Sequence, residues 1–268
     1  MAADEREALV SRLTEVLRSD DRVRAAWLSG SFGRGTADRF SDVDVLAAVS
    51  SEDLAAFADD WPALAPRVAE TVLLQRHGGG STVVVSHVTP SWVRFDLVIT
   101  TVYQVADHSG STLRPLFDHD DIHRLLRGRV AWAPPSPERV SKLITEFFRI
   151  LGLLPVTLGR DEVFVAASGA ALLRDLVVQM MLADASSPEN GGALHLSTRL
   201  PADALGRLTA LPPIVADRDA VLKAHLACAE LFLPLARTLA GRVGAAWPTA
   251  LAAACSGYLR RELGIEIG

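Results

Sequence analysis

The stretch Ala133-Pro134-Pro135-Ser136-Pro137 divides the 268-residue chain into halves of different hydrophobic periodicity. Successive prolines lack backbone donors and fit neither a helix interior nor a central strand, so a domain boundary belongs here. Before it, helical and extended patterns alternate; after it, helix follows helix. The expected fold class is therefore α/β (α+β). A domain with a mixed β-sheet spans residues 1–133, and a helical bundle spans 137–268. At 49% hydrophobic and 22% charged residues, the chain has enough apolar material to offset its ordering entropy by burial.

Within the first half, Leu9, Val10, Leu13, Val16 and Leu17 share one face of a helix expected over 4–18. Extended runs follow at 23–28 and 43–49, then a short helix opened by Ser51 and Asp53 and limited by Pro62 and Pro66. Three more extended runs, at 71–74, 82–87 and 93–101, complete the half, and Gly78, Gly79 and Gly80 join the first two as a hairpin. Beyond the boundary, the spacing predicts helices over 138–154, 161–182, 217–242 and 246–263, with a loop at Ser186–Gly192.

Composition excludes several function classes. A net charge of −5 and 6% aromatic residues leave little for phosphate-backbone binding or base stacking, so no nucleic-acid partner is expected. Cys228 and Cys255 lie far apart without a CxxC-type partner, which suits small core residues in a reducing, cytoplasmic setting. Residues 1–7 are acidic, unlike a signal peptide. The apolar run Leu222–Val243 is interrupted by Lys223, His225, Glu230, Arg237 and Arg242, so no membrane span is expected from it.

The chemistry concentrates between Trp27 and Val45. Gly30 and Ser31 follow an apolar strand, and Asp42 and Asp44 stand two apart on the next. In a strand, side chains two apart point the same way, so the two carboxylates share a face. Neighbouring carboxylates resist ionising together unless a cation offsets their repulsion, and a hard divalent ion with oxygen ligands, such as Mg²⁺, is the natural partner. Asp96 interrupts a third apolar run, between Phe95 and Leu97, where an isolated aspartate disfavours a strand. Paired beside the Asp42 strand, it would complete a three-carboxylate cluster able to hold two metal ions and to take a proton from an incoming hydroxyl. Gly30 permits close backbone approach, Ser31 offers a hydroxyl and an N–H to phosphate oxygens, and Arg34 and Arg39 could add charge-assisted contacts. The segment lacks the Gly-Lys-Ser/Thr ending of a P-loop and the spacing of GxGxxG.

Gly30-Ser31, then Asp42-Val43-Asp44, then an apolar-flanked Asp96 resemble the polymerase-β-type nucleotidyltransferase superfamily, and most of all the bacterial antibiotic nucleotidyltransferases that act on lincosamides and aminoglycosides. The resemblance covers residues 20–100; the rest matches only in being helical. It implies Ser31 at a nucleoside triphosphate, Asp42 and Asp44 on Mg²⁺, and Asp96 as third metal ligand or general base. The implied reaction moves a nucleoside monophosphate, with ATP as the expected donor, onto a hydroxyl of a small molecule and releases pyrophosphate.

Other readings compete. A protein-directed regulator of the same fold, a partner or modifier of a toxin, would use the helical half as an interface, and that half could equally form a homodimer. Asp118-His119-Asp120-Asp121-Ile122-His123 has metal-ligand residue types, but acids ahead of Ile122 are also ordinary helix capping. Glu146, Asp161, Glu162 and Asp175 could line an acceptor pocket or simply face solvent.

Overall fold

The computed structural model describes residues 2–128, 134–185 and 196–267. The start of the proline boundary at Ala133 and the loop read at Ser186–Gly192 lie outside these residues. The chain divides into two compact units, Met1–Val130 and Ala131–Gly268.

The first unit is a six-stranded sheet flanked by helices. In chain order it comprises α1 (Ala2–Arg18), β1 (Val23–Leu28), α2 (Gly30–Arg34), β2 (Val43–Val49), α3 (Leu54–Leu64), β3 (Leu73–Gly79), β4 (Thr82–Val88), β5 (Arg94–Thr101) and β6 (Arg114–Asp118). The strand order is β3-β4-β5-β2-β1-β6. Only β2 and β5 run parallel; every other neighbouring pair is antiparallel, so the sheet is mixed as expected. The β3–β4 hairpin is longer than its apolar residues suggest. Pairing continues to Gly79↔Thr82 across a two-residue Gly80-Ser81 turn, with Gly80 at φ 69°.

Alternation along β2 separates two cores. Val43, Val45, Ala47 and Val49 join Leu9, Leu13 and Leu17 of α1 and Phe57 and Trp61 of α3 on one face. Leu46 and Ala48 pack on the other with Trp27, Val105, Leu113 and Ile122. Strand β6 was not foreseen from the sequence. Pro115 removes a ladder donor, which an edge strand tolerates, and the register shifts between Ala26 and Trp27 opposite it.

The acidic 118–123 segment is structural. Asp118 Oδ1 accepts from the backbone N–H groups of Asp120 (3.2 Å) and Ile122 (2.9 Å), and its Oδ2 accepts from that of His123 (2.7 Å). Asp120 pairs with Arg24, and His123 Nδ1 accepts from Trp27 Nε1 at 3.0 Å. These groups cap a 3₁₀ turn at Ile122–Leu125.

The second unit is helical: α4 (Pro137–Leu151), α5 (Leu154–Gly159), α6 (Val163–Asp184), α7 (Leu196–Arg199), α8 (Ala202–Thr209), α9 (Arg218–Val243) and α10 (Thr249–Leu263). The single helix expected over 138–154 is two. Gly152 ends α4, and Pro155 lies in the first turn of α5, where its missing N–H is harmless. Val140, Ile144, Phe147 and Leu151 form one stripe of α4, and Phe147 stacks on Phe232 of α9 with ring centroids 3.9 Å apart. Cys228 and Cys255 are free and buried in this core, as expected, and burial pushes both thiols up to about 11. Helix α6 is long and apolar enough to cross a membrane by length and composition; here it packs against α4, α5 and α9.

One buried histidine supports the sheet beneath Asp96. His87 on β4 is 1% exposed and stacks on Phe95 at 4.1 Å. Its Nε2 accepts from Trp61 Nε1 at 2.9 Å, which leaves Nδ1 to donate to the Phe95 carbonyl at 3.2 Å. Burial lowers its pKa to about 4, so the ring is neutral in the fold. The unfolded chain protonates this group from about pH 6.5 downward and the folded one does not, so stability falls as pH drops through that window, by up to about 3 kcal/mol. Urea unfolding at pH 7 and pH 4 tests this: wild type should lose about 3 kcal/mol more than His87→Gln, which can bond but not titrate in this range. Equal losses would contradict it.

Candidate active site

The parallel β2–β5 register brings the sequence-predicted acids together. Val43 faces Phe95 and Asp44 faces Asp96, on adjacent strands and on the same side of the sheet. Neighbouring strands lie about 4.8 Å apart, so side chains directly opposite are neighbours. Asp42 precedes β2 by one residue rather than lying within it. It remains close enough to raise the pKa of Asp44, as Asp96 also does. On the other flank of β2, the β1–α2 connection folds back over the strand, and the Ser29 N–H donates to the Asp44 carbonyl at 2.8 Å.

That return is possible only with glycine. Gly30 sits at φ 55°, and a Cβ there would overlap Asp44 Oδ2. The backbone of the loop therefore lies against the carboxylate itself. Gly33, which has no role in the sequence reading, is under a second constraint: a Cβ would collide with the carbonyl oxygens of Leu28 and Thr112. It lets the short helix α2 seat tightly on the segment ahead of β6. Ser31 is 6% exposed, and its Oγ is buried without a hydrogen-bond partner. A buried hydroxyl costs stability unless something bonds to it, so its position calls for a ligand oxygen.

The electrostatics follow from this packing. Burial, then Asp42, then Asp96 push the Asp44 carboxyl up to about 6, while Arg34 and Arg94 pull the other way. The two arginines are not equivalent. Arg34 ends α2 within the field of Asp44, and Arg94 Nη2 lies 3.4 Å from Asp42 Oδ2. Arg94 stands two residues before Asp96 along the same strand, yet cross-strand register, which single-strand spacing does not reveal, brings it to Asp42. Arg39 is not brought to the acids among the described residues. It lies on the exposed connection to β2, with its guanidinium 4.2 Å from the centroid of the Phe40 ring.

The donor set suits a hard cation: carboxylate oxygens, and a field that raises the pKa of the central acid. Among the described residues, no three acidic, imidazole or thiol groups are gathered closely enough to hold a metal ion unaided. This pattern fits Mg²⁺, which keeps few protein carboxylates and completes its shell from phosphate oxygens and water. Of the acids in the second unit, Glu146 is held by Arg149 at 2.6 Å, and Asp175 accepts from Gln179.

Asp44 should tax the empty fold. Its folded pKa exceeds the ordinary value of 3.8, so its contribution is intact below about pH 4 and is lost as pH rises through 6. Asp44→Asn should therefore be more stable than wild type by about 2–3 kcal/mol at pH 8 and no more stable at pH 4. Denaturant unfolding at both pH values is the measurement. A destabilised variant at pH 8 would contradict the assignment.

A family model for streptomycin adenylyltransferase matches residues 4–262, a span that contains Gly30, Ser31, Asp42, Asp44 and Asp96 and most of the helical unit. No curated protein matches the chain. Among solved structures, one that is similar is an aminoglycoside 6-adenyltransferase from Bacillus subtilis, 16% identical, covering 95% of this chain and 98% of that one, with a TM-score of 0.44. At that distance the family match alone carries the assignment. The chain belongs to the streptomycin adenylyltransferase family and is an adenylyltransferase.

Proposed function

We propose that the protein transfers AMP from ATP, with Mg²⁺, to a hydroxyl of an aminoglycoside of the streptomycin type. The observation that carries this reading is the packing of the Gly30 backbone on Asp44 directly beside Asp96, within a chain the family model spans. A family match that takes in most of the helical unit as well as the sheet supports a small-molecule acceptor over a protein partner.

In this reading the chain positions and neutralises; no covalent enzyme intermediate is needed. Gly30 and Ser31 receive triphosphate oxygens, with the free Ser31 hydroxyl as one donor. Arg34 adds positive charge on the same side of β2. Asp42 and Asp44 would hold the Mg²⁺, with Asp96 as a third ligand or as the general base. When bound, Mg²⁺ supplies charge neutralisation for the pyrophosphate that leaves. The acceptor hydroxyl oxygen bonds to the α-phosphorus as the bond from that phosphorus to the α,β-bridging oxygen breaks, and pyrophosphate departs with the bond electrons. In the general-base role, Asp96 takes the hydroxyl proton. The strand order sets the Gly30–Ser31 loop on one flank of β2 and Asp96 on the other.

Mass detection of the adduct, with an aminoglycoside panel and each NTP, tests the reading. Streptomycin-type acceptors with ATP should give a mass increase of one AMP. Asp42→Asn and Asp44→Asn should abolish turnover with the fold retained. Asp96→Asn should lower kcat more than it weakens ATP binding, and Ser31→Ala should lower kcat/KM for ATP by about 10²-fold. Full activity in Asp44→Asn, or no adduct with any acceptor, would overturn the reading.

A further inference from the structure

The face of β2 and β5 that carries the acids reads as two rungs. Asp44 stands opposite Asp96 in the parallel register, and one rung toward the strand starts Asp42 meets Arg94. One rung pairs two acids and the next pairs an acid with a base. Arg94 opens β5 and is exposed, with 44% of its side chain accessible against 37% for Asp42. Their single contact of 3.4 Å is long for a charge-assisted hydrogen bond, and an exposed pair of this kind adds little to stability. It is a contact that can be exchanged readily. The field of Arg94 also reaches Asp44, where it acts in the same sense as a bound cation.

Resting on the reading above, we propose that Arg94 is a placeholder cation. It neutralises Asp42 in the nucleotide-free protein and yields that carboxylate when the metal arrives together with the nucleotide's phosphates. The site then favours the metal–nucleotide complex over the free ion. The observation behind this is geometric: Arg94 lies on Asp42 at one end of the acid-bearing face, through a single long and solvent-exposed contact. Once released, a guanidinium at the start of β5 has the charge and donors to contact phosphate oxygens.

The test is calorimetric titration of Mn²⁺ into the full chain, without nucleotide and then with the non-transferable analogue α,β-methylene-ATP. Removing one positive charge about 4–5 Å from the cation in a largely solvated setting should tighten Mn²⁺ binding by roughly five- to tenfold. Arg94→Gln should therefore bind Mn²⁺ alone that much more tightly than wild type, Arg94→Lys should stay near wild type, and Asp42→Asn/Arg94→Gln should lose the gain. The factor by which the analogue tightens Mn²⁺ binding should be smaller in Arg94→Gln. Equal or weaker Mn²⁺ binding by Arg94→Gln, or a fall in its thermal stability with unchanged affinity, would overturn the placeholder role and leave the proposed reaction standing. If wild type fails to bind Mn²⁺ with the analogue at all, both fall together.

Discussion

The structure depends on a repulsion. Strand register fixes Asp44 opposite Asp96, with Asp42 close by, and the Gly30 backbone closes on Asp44 from the other flank. Among the described residues, nothing relieves this fully. Arg34 and Arg94 offset part of it, yet the Asp44 carboxyl is still held near 6, and the Ser31 hydroxyl stays buried and unpaired. Both are unfavourable in isolation, and in the proposed reaction both would be relieved by one guest, a cation that carries phosphate oxygens with it. A site that pays in stability while empty and recovers it when loaded is how binding energy becomes available for positioning.

The surrounding fold exists to hold that arrangement still. The parallel β2–β5 pair is the centre of the sheet, with four strands arranged around it and a core on each face. The face opposite the acids is sealed by α1 and α3. On β4, His87 ties Trp61 to the Phe95 carbonyl immediately before Asp96, so the backbone that carries the third acid is anchored from beneath. On the side of the Gly30–Ser31 loop, the absence of a side chain at Gly33 lets α2 press against Leu28 and Thr112. Small displacements of either support would move charges whose interaction varies steeply with distance.

Much of this was legible in the sequence. Asp42, Asp44 and Asp96 stand out because charged residues interrupt apolar runs of period two, and Gly30-Ser31 because it directly follows such a run. Those are local signals, and the strands β1, β2, β4 and β5 and the long helices follow from the same kind of pattern. What escaped needs contacts that are distant in sequence. Strand β6 hides behind Pro115 and makes sense only at a sheet edge. The break at Gly152 is masked by apolar residues on both sides that keep helical spacing. Arg94 belongs to Asp42 through the register of a parallel pair whose members are separated by α3, β3 and β4. Arg39, near the acids in sequence, lies over Phe40 in space.

The most direct measurement is a crystal structure of the protein soaked with Mg²⁺ and α,β-methylene-ATP. The account predicts phosphate oxygens within hydrogen-bond reach of Ser31 Oγ and the Gly30–Ser31 backbone, with the ion bound by Asp42 and Asp44. A nucleotide seated away from that loop, or an ion that bypasses Asp44, would contradict it.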